Sequence, residues 1–259
     1  IYRSHGFQPI GMPMLENLAT LQGKGGGSDN EKLIFKVMKR GEDLQRSLES
    51  QTDLADMGLR FDLTLPLARY CARFREQLPK PFKVFQIGPV WRADRPQKGR
   101  FREFFQCDVD IVGSREVGAE IDCIEAILEV FSALGMHGIE VHLNDRRLLL
   151  SLKDEQLSQE QWAEALVTLD KLDKIQKAGV ETELTEKFGR VPAGISLLLS
   201  GGDNLSAYAA HSSDSVASLE QVLSLLRSQH SEAKVVFNPT LVRGQDYYTG
   251  TIFEIRHPD

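Results

Sequence analysis

Two runs rich in aromatic and β-branched residues, Phe82 to Trp91 and Phe101 to Val112, bracket a segment, Arg92 to Arg100, that contains Pro96 and Gly99. Such runs are strand signals, and the turn residues between them predict a long antiparallel hairpin. Its connection is longer than a simple hairpin turn, and connections of that kind in a compact domain are usually functional. The hairpin commits the chain to a fold centred on a sheet. What surrounds it decides which one.

Apolar residues recur at helical spacing from Leu63 to Phe74, with Pro66 near the start, where a missing N–H does no harm, and Thr64 placed as a cap. Ser114 precedes a second stripe, Val117, Ile121, Ile124, Leu128, Phe131 and Leu134, closed by Gly135. A strand is expected over Ile139 to Leu143, then helices from Ser158 to Leu226, opened by a capping box of Ser158 with Gln161 and striped by Trp162, Leu166, Leu169 and Ile175. Two strands, Lys234 to Asn238 and Thr249 to Arg256, end the chain. Upstream, Lys32 to Lys39 reads as a short strand and Gly41 to Met57 as a polar, helix-breaking stretch. Strands and helices do not alternate as in a doubly wound fold, so the expected class is α+β with an antiparallel sheet flanked by helices.

The net charge of −6, from 31 cations and 37 carboxylates, argues at first against a polyanion binder. The total conceals two opposed segments. Between Arg60 and Arg102 there are 11 cations and three acids; between Asp154 and Glu232 there are 13 carboxylates and 6 cations. Arg73, Arg75, Lys80 and Lys83 read as a solvated basic face. The hairpin loop is different, because Arg92, Arg95, Lys98, Arg100 and Arg102 crowd a turn between two apolar strands, where guanidinium forks match phosphate oxygens.

Other signals are weaker. The run Gly23 to Ser28 lacks the spacing of a phosphate-binding loop and reads as a mobile linker. Cys71, Cys107 and Cys123 are widely spaced with no paired motif, which fits a reducing, cytoplasmic compartment. His137 and His142 lack a third ligand and read as surface residues. No apolar run is long enough to span a membrane. Ile1 opens in what reads as a helix end, so the natural start is expected upstream.

Gln106 and Asp110 stand four apart on one strand and share a face. Sheet alternation alone leaves open whether that face lines a pocket or meets water. Arg243-Gly244-Gln245-Asp246-Tyr247-Tyr248 places a cation, a flexible Gly, an acid and two phenols together. Such a set can hold an anion and a polar ring, and a Gly-Asp segment between strands can equally be a turn.

Three segments together resemble the histidyl-tRNA synthetase family: Leu59-Arg60-Phe61-Asp62-Leu63-Thr64, the stretch from Phe85-Gln86-Ile87-Gly88 through Arg92 to Gln106, and Leu241 to Tyr248. They are similar to that family's amino-acid-binding segment, its class II motif 2 and its histidine-specific Arg-Gly-x-Asp-Tyr-Tyr segment. Asn144 to Leu148 and Leu169 to Lys174 are also similar to segments of the family. The resemblance implies a class II synthetase-like fold with a helical insertion, a catalytic core over residues 1–150, the insertion over 151–232, and the core continued over 233–259. The family's second glycine-rich histidine segment, motif 3 and anticodon-binding domain do not appear in this sequence, and motif 1 is partial at Ile1 to Met14, so the chain reads as a fragment.

Residue by residue, the resemblance implies that Arg92 holds the ATP α-phosphate and the substrate carboxylate, with Arg243 as the second cation there. Arg100 would reach the terminal phosphates, Asp94 would replace the family's usual Glu at the adenine amino group, and Phe104 would stack on adenine. Asp62, Thr64 and Gln106 would hold the histidine ammonium; Asp110 and Tyr248, with Tyr247 in the same histidine-binding set, would recognise the imidazole. ATP with Mg²⁺, histidine and tRNA(His) are the implied ligands, with no metal site of the protein's own, no membrane partner, and a homodimer in the full-length protein. The alternative is a non-catalytic histidine-binding paralogue, a regulatory subunit of ATP phosphoribosyltransferase; the three arginines Arg92, Arg100 and Arg243 argue against it, because a histidine sensor needs no phosphate clamp.

Overall fold

The computed structural model describes residues 1–22, 28–230, 233–243 and 248–257, without the side chains of 28–30. The expected linker at Gly23 to Gly27 and Gly244 to Tyr247 lie outside the described residues. Two compact units are present, Ile1–Arg115 and Glu116–Asp259.

The first unit runs β1 (Gln8–Pro9), β2 (Leu15–Asn17), α1 (Leu18–Gln22), α2 (Ser28–Leu33), β3 (Lys36–Met38), α3 (Gly41–Glu49), β4 (Ala55–Leu59), α4 (Thr64–Phe74), β5 (Phe82–Trp91) and β6 (Glu103–Val112). The expected hairpin is β5–β6, paired antiparallel along its whole length, with β1 parallel on the other edge of β5. A second small sheet has the order β2-β4-β3, all antiparallel. A main-chain bond joins the two sheets, Trp91 N–H to Arg60 O at 3.0 Å, while Arg60 N–H to Met14 O at 3.0 Å extends the β2–β4 ladder.

Arg60, which has no role of its own assigned from the sequence, is buried and works as a clamp. Its Nε donates to Pro89 O at 3.0 Å and its Nη1 to Met12 O at 2.7 Å. Gly88 makes room for it, since a Cβ there would stand 2.5 Å from Arg60 Nη2. Burial lowers the pKa of this guanidinium, yet carbonyl partners keep it satisfied.

Three expectations change here. The stretch Gly41 to Met57 is not helix-breaking: α3 occupies Gly41–Glu49, with Glu42 and Asp43 in its first turn and Arg46 in its last, the arrangement the helix dipole favours. The strand expected from Lys32 shrinks to β3, because α2 continues through Leu33. The Thr64 hydroxyl does not cap α4; Asp62 Oδ1 accepts from Leu65 N–H at 3.0 Å instead.

The second unit runs α5 (Val117–Ala133), β7 (Glu140–Asp145), α6 (Arg146–Ser151), α7 (Gln159–Leu169), α8 (Leu172–Phe188), α9 (Ala193–Ser200), a 3-10 turn at Leu205–Tyr208, α10 (Ser213–Gln229), β8 (Lys234–Phe237) and β9 (Thr251–Arg256). Its sheet has the order β8-β7-β9, parallel then antiparallel. One core joins α5, the strands and the helices of the acidic block, with Trp162, Leu166, Leu169, Val180, Leu184, Ile195 and Leu226 buried against Leu143, Leu148 and Phe237. The capping box forms as expected, with Ser158 Oγ accepting from Gln161 N–H and Gln161 Oε1 accepting from Ser158 N–H. Helix α5 starts after Glu116, which takes the N-cap position two residues past Ser114 and makes no side-chain cap bond. Asn144 and Asp145 are fully buried: Asn144 Nδ2 donates to the carbonyls of Pro239 and Leu241, and Asp145 caps α6 through Arg147 N–H at 2.7 Å. No helix among the described residues is long and apolar enough to cross a membrane.

Candidate active site

The register of the hairpin places Val84 opposite Asp110, Gln86 opposite Asp108, Gly88 opposite Gln106 and Val90 opposite Phe104. Side chains alternate along a strand, so Phe104, Gln106, Asp108 and Asp110 share one face. That face is the shielded one: all four are half-buried, whereas Phe105 and Cys107 on the other face are exposed. Gln106 and Asp110 therefore line protein rather than bulk water.

The N-terminus of α4 lies against this face. Gln86, opposite Asp108 across the hairpin, donates through Nε2 to Leu63 O at 3.2 Å. Asp62 is buried just before the helix. Three carboxylates thus meet, and their titration reflects it. Burial pushes Asp108 up to about 6, Asp62 adds to the rise, and Arg92 and the Thr64 hydroxyl oppose it. Burial also pushes Asp110 up to about 6, reinforced by the charges of Asp108 and Asp62. Asp62 is raised by burial as well, against the Leu65 N–H and the positive charges of Arg92 and Arg69.

Gln106 Oε1 and Asp110 Oδ2 are buried with no hydrogen-bond partner among the described residues. Buried acceptors are normally satisfied. Two buried acceptors left without donors suit a ligand that brings N–H groups and positive charge.

Arg92 stands at the end of β5 beside this face. Its backbone N–H bonds Arg102 O at 2.9 Å, its Nε donates to Phe61 O at 3.0 Å, and its guanidinium lies 5.0 Å from the centroid of Phe104. Two contacts therefore fix the plane of the fork, leaving the paired Nη groups for an anion. Phe104, expected on adenine, is the surface on which Arg92 rests. Farther out, Arg100 is exposed and closes a tight turn through main-chain bonds with Gln97, while the Asp94 carbonyl accepts from Arg102 Nε at 3.2 Å.

In the second unit, Arg243 Nη1 pairs with Glu254 Oε1 at 3.3 Å, and Glu254 also accepts from Arg256. Tyr248 is half-buried; Tyr247 lies outside the described residues. His142 is held by Glu140 and Asn238.

Sequence reasoning missed Asp108. The signal was available, because a residue midway between Gln106 and Asp110 must share their face. Arg60 carried no such signal, since only the folded chain puts carbonyls around it.

The raised carboxylates make a stability prediction. The folded state of each holds its proton up to about pH 6, the unfolded chain only to about 4, so stability falls as pH rises through that window. Asp110→Asn removes one such group and is expected to stabilise by about 1–2 kcal/mol at pH 7.5, raising the melting temperature by a few degrees. The gain should shrink on lowering the pH to 5. Thermal unfolding at both pH values checks it, and no stabilisation at pH 7.5 would contradict it.

The family model described as histidyl-tRNA synthetase matches residues 1–259. A histidine–tRNA ligase from Leifsonia xyli subsp. xyli is 43% identical over 278 residues, covering 99% of this chain and 64% of that protein. The solved histidyl-tRNA synthetase from Nostoc sp. PCC 7120 is similar with a TM-score of 0.75 and 28% identity, over 98% of this chain and 58% of that one. An ATP phosphoribosyltransferase regulatory subunit/histidyl-tRNA synthetase from Bacillus halodurans C shares the fold, with a TM-score of 0.77 at 20% identity, over 99% of this chain and 65% of that one. The chain thus spans roughly three fifths of the length of the proteins it matches.

Proposed function

The chain belongs to the histidyl-tRNA synthetase family, and on that premise we propose that it forms the part of a cytoplasmic histidine–tRNA ligase that activates histidine with ATP, giving histidyl-adenylate and pyrophosphate, before transfer to the 3′ end of tRNA(His). One observation carries this reading: two buried acceptor oxygens without a partner among the described residues, Gln106 Oε1 and Asp110 Oδ2, share a face with a fixed guanidinium fork beside it. A ligand suited to both has N–H donors and positive charge at one end and an anion at the other. An α-amino acid has both.

Asp62, Thr64 and Gln106 would accept from the ammonium, and Asp110 with Tyr248, and Tyr247 in the same set, would take the imidazole N–H. A ring without that donor would leave a buried carboxylate unpaired, which costs discrimination steeply, about 10⁴-fold for polar recognition. Arg92 would draw the substrate carboxylate and the α-phosphate together, offsetting their mutual repulsion and the charge that grows in the transition state. Arg243 would be the second cation on that phosphate, Arg100 would reach the terminal phosphates, and Asp94 and Phe104 would contact adenine. Among the described residues no three His, Cys, Asp or Glu form a metal site; Mg²⁺ would enter with ATP, and no step is assigned to it. A homodimer is the assembly proposed for the full-length protein.

The test is histidine-dependent exchange of pyrophosphate into ATP by the full-length protein with Mg-ATP. Exchange with histidine and not with other amino acids is expected. Histidine binding with no exchange would overturn the ligase reading in favour of the non-catalytic paralogue, and no histidine binding would overturn both.

A further inference from the structure

We propose that Gln86 is a further binding residue of the amino-acid site, its Oε1 accepting a hydrogen bond from the ligand's ammonium. The proposal deepens the reading above and rests on it.

Gln86 lies on β5 and is almost wholly buried, at 2% exposure. An amide side chain carries a donor group and an acceptor, and a buried one normally finds partners for both. Here only the donor is engaged. Nε2 gives a hydrogen to Leu63 O at 3.2 Å, and Oε1 is buried with no partner among the described residues. Turning the amide over would set its oxygen against the Leu63 carbonyl, two acceptors facing each other, so this hydrogen bond decides which end of the amide is free.

Gln86 stands opposite Asp108 in the hairpin, with Gly88 opposite Gln106 on one side of it and Val84 opposite Asp110 on the other. Gln106 and Asp110 therefore flank it diagonally, a separation that long side chains span. Gln106 Oε1 and Asp110 Oδ2 are buried and unpartnered as well. One unpaired oxygen is a local flaw, whereas three on one patch of a sheet face make a shared demand for donors. An ammonium supplies three N–H groups and a positive charge.

The segment from Phe61 to Thr64 decides which end of the ligand Gln86 meets. Phe61 O accepts from Arg92 Nε at 3.0 Å, and two residues on Leu63 O accepts from Gln86 Nε2. Each carbonyl fixes one long side chain and leaves its working end unspent, a guanidinium fork in the first case and an acceptor oxygen in the second. The fork suits the anionic end of an α-amino acid. Gln86, tied to the chain between the buried Asp62 and Thr64, is left for the cationic end.

The experiment measures dissociation constants on the full-length protein for histidine, for histamine, which keeps the ring and ammonium, and for imidazolepropionate, which keeps the ring and carboxylate. Gln86→Met preserves the length of the side chain and removes its hydrogen bonding. It is expected to weaken histidine and histamine about 10-fold to 100-fold, the range for a hydrogen bond to a charged group, and to leave imidazolepropionate within about twofold. Gln86→Glu keeps an acceptor at the same reach and is expected to retain the preference for histamine over imidazolepropionate; it carries the test if the methionine variant does not fold. Equal weakening of all three ligands in Gln86→Met would leave Gln86 as a strap between hairpin and helix and would overturn the proposal, as would loss of the histamine preference in Gln86→Glu. If the unsubstituted protein binds histidine and Gln86→Met binds it as tightly, this inference alone fails; if the unsubstituted protein does not bind histidine, the reading beneath it fails.

Discussion

Arg92→Ala is expected to lower histidine-dependent pyrophosphate exchange by about 10²–10³-fold, the cost of removing a preorganised charge from a transition state that gains negative charge. The size of the effect follows from how the side chain is held. Its Nε is engaged by the Phe61 carbonyl and its plane rests on the Phe104 ring, so the fork does not reorganise when charge develops. Arg92→Lys keeps the charge but loses the planar fork and the Phe61 bond, and it is expected to recover little of the activity. Phe104→Leu, which removes the ring and keeps the fork, should give a smaller loss than Arg92→Ala. Steady-state exchange rates with histidine and ATP varied separately check the series. Exchange within threefold of the unsubstituted protein for Arg92→Ala would remove Arg92 from the chemistry.

Trp162→Ala is expected to destabilise the second unit by about 3–5 kcal/mol, the range for deleting a fully buried aromatic side chain. Trp162 is completely buried, and its Nε1 donates to Leu149 O at 3.1 Å, so truncation leaves both a cavity and an unsatisfied carbonyl. Its neighbours leave little room to collapse. Helix α9 packs on the ring through Gly194, where a Cβ would stand 2.8 Å from Trp162 Cη2 and 2.1 Å from Leu152 O. The melting temperature should fall by about 10 °C or more for a unit of this size. Trp162→Phe keeps most of the volume and loses the hydrogen bond, and should cost much less. A fall of under 3 °C for Trp162→Ala would show that the core refills the cavity.

The hairpin was legible because its determinants are local. Aromatic and β-branched runs with turn residues between them produced β5 to the residue, while β6 begins at Glu103 rather than Phe101. The capping box at Ser158 was legible for the same reason, as a pattern within four residues. Helix α3 was not, because its few apolar residues make a weak stripe and its charges at the two ends count only once a helix exists. The Thr64 cap failed because two neighbouring polar residues compete at that helix start, and Asp62 takes the Leu65 N–H.

By itself, the sequence determined the strand pair, the crowding of arginines between them, the shared face of Gln106 and Asp110, and a motif set sufficient to place the chain in its family. These depend on alternation, spacing and residue type, which act over a few residues. Tertiary structure alone decided that the face is shielded, that Asp108 joins it, that Arg60 is a buried clamp behind Gly88, and that Phe104 carries the Arg92 guanidinium. Each of those is set by burial and by partners distant in the chain, and desolvation and charge-pairing energies exist only where the fold brings such groups together.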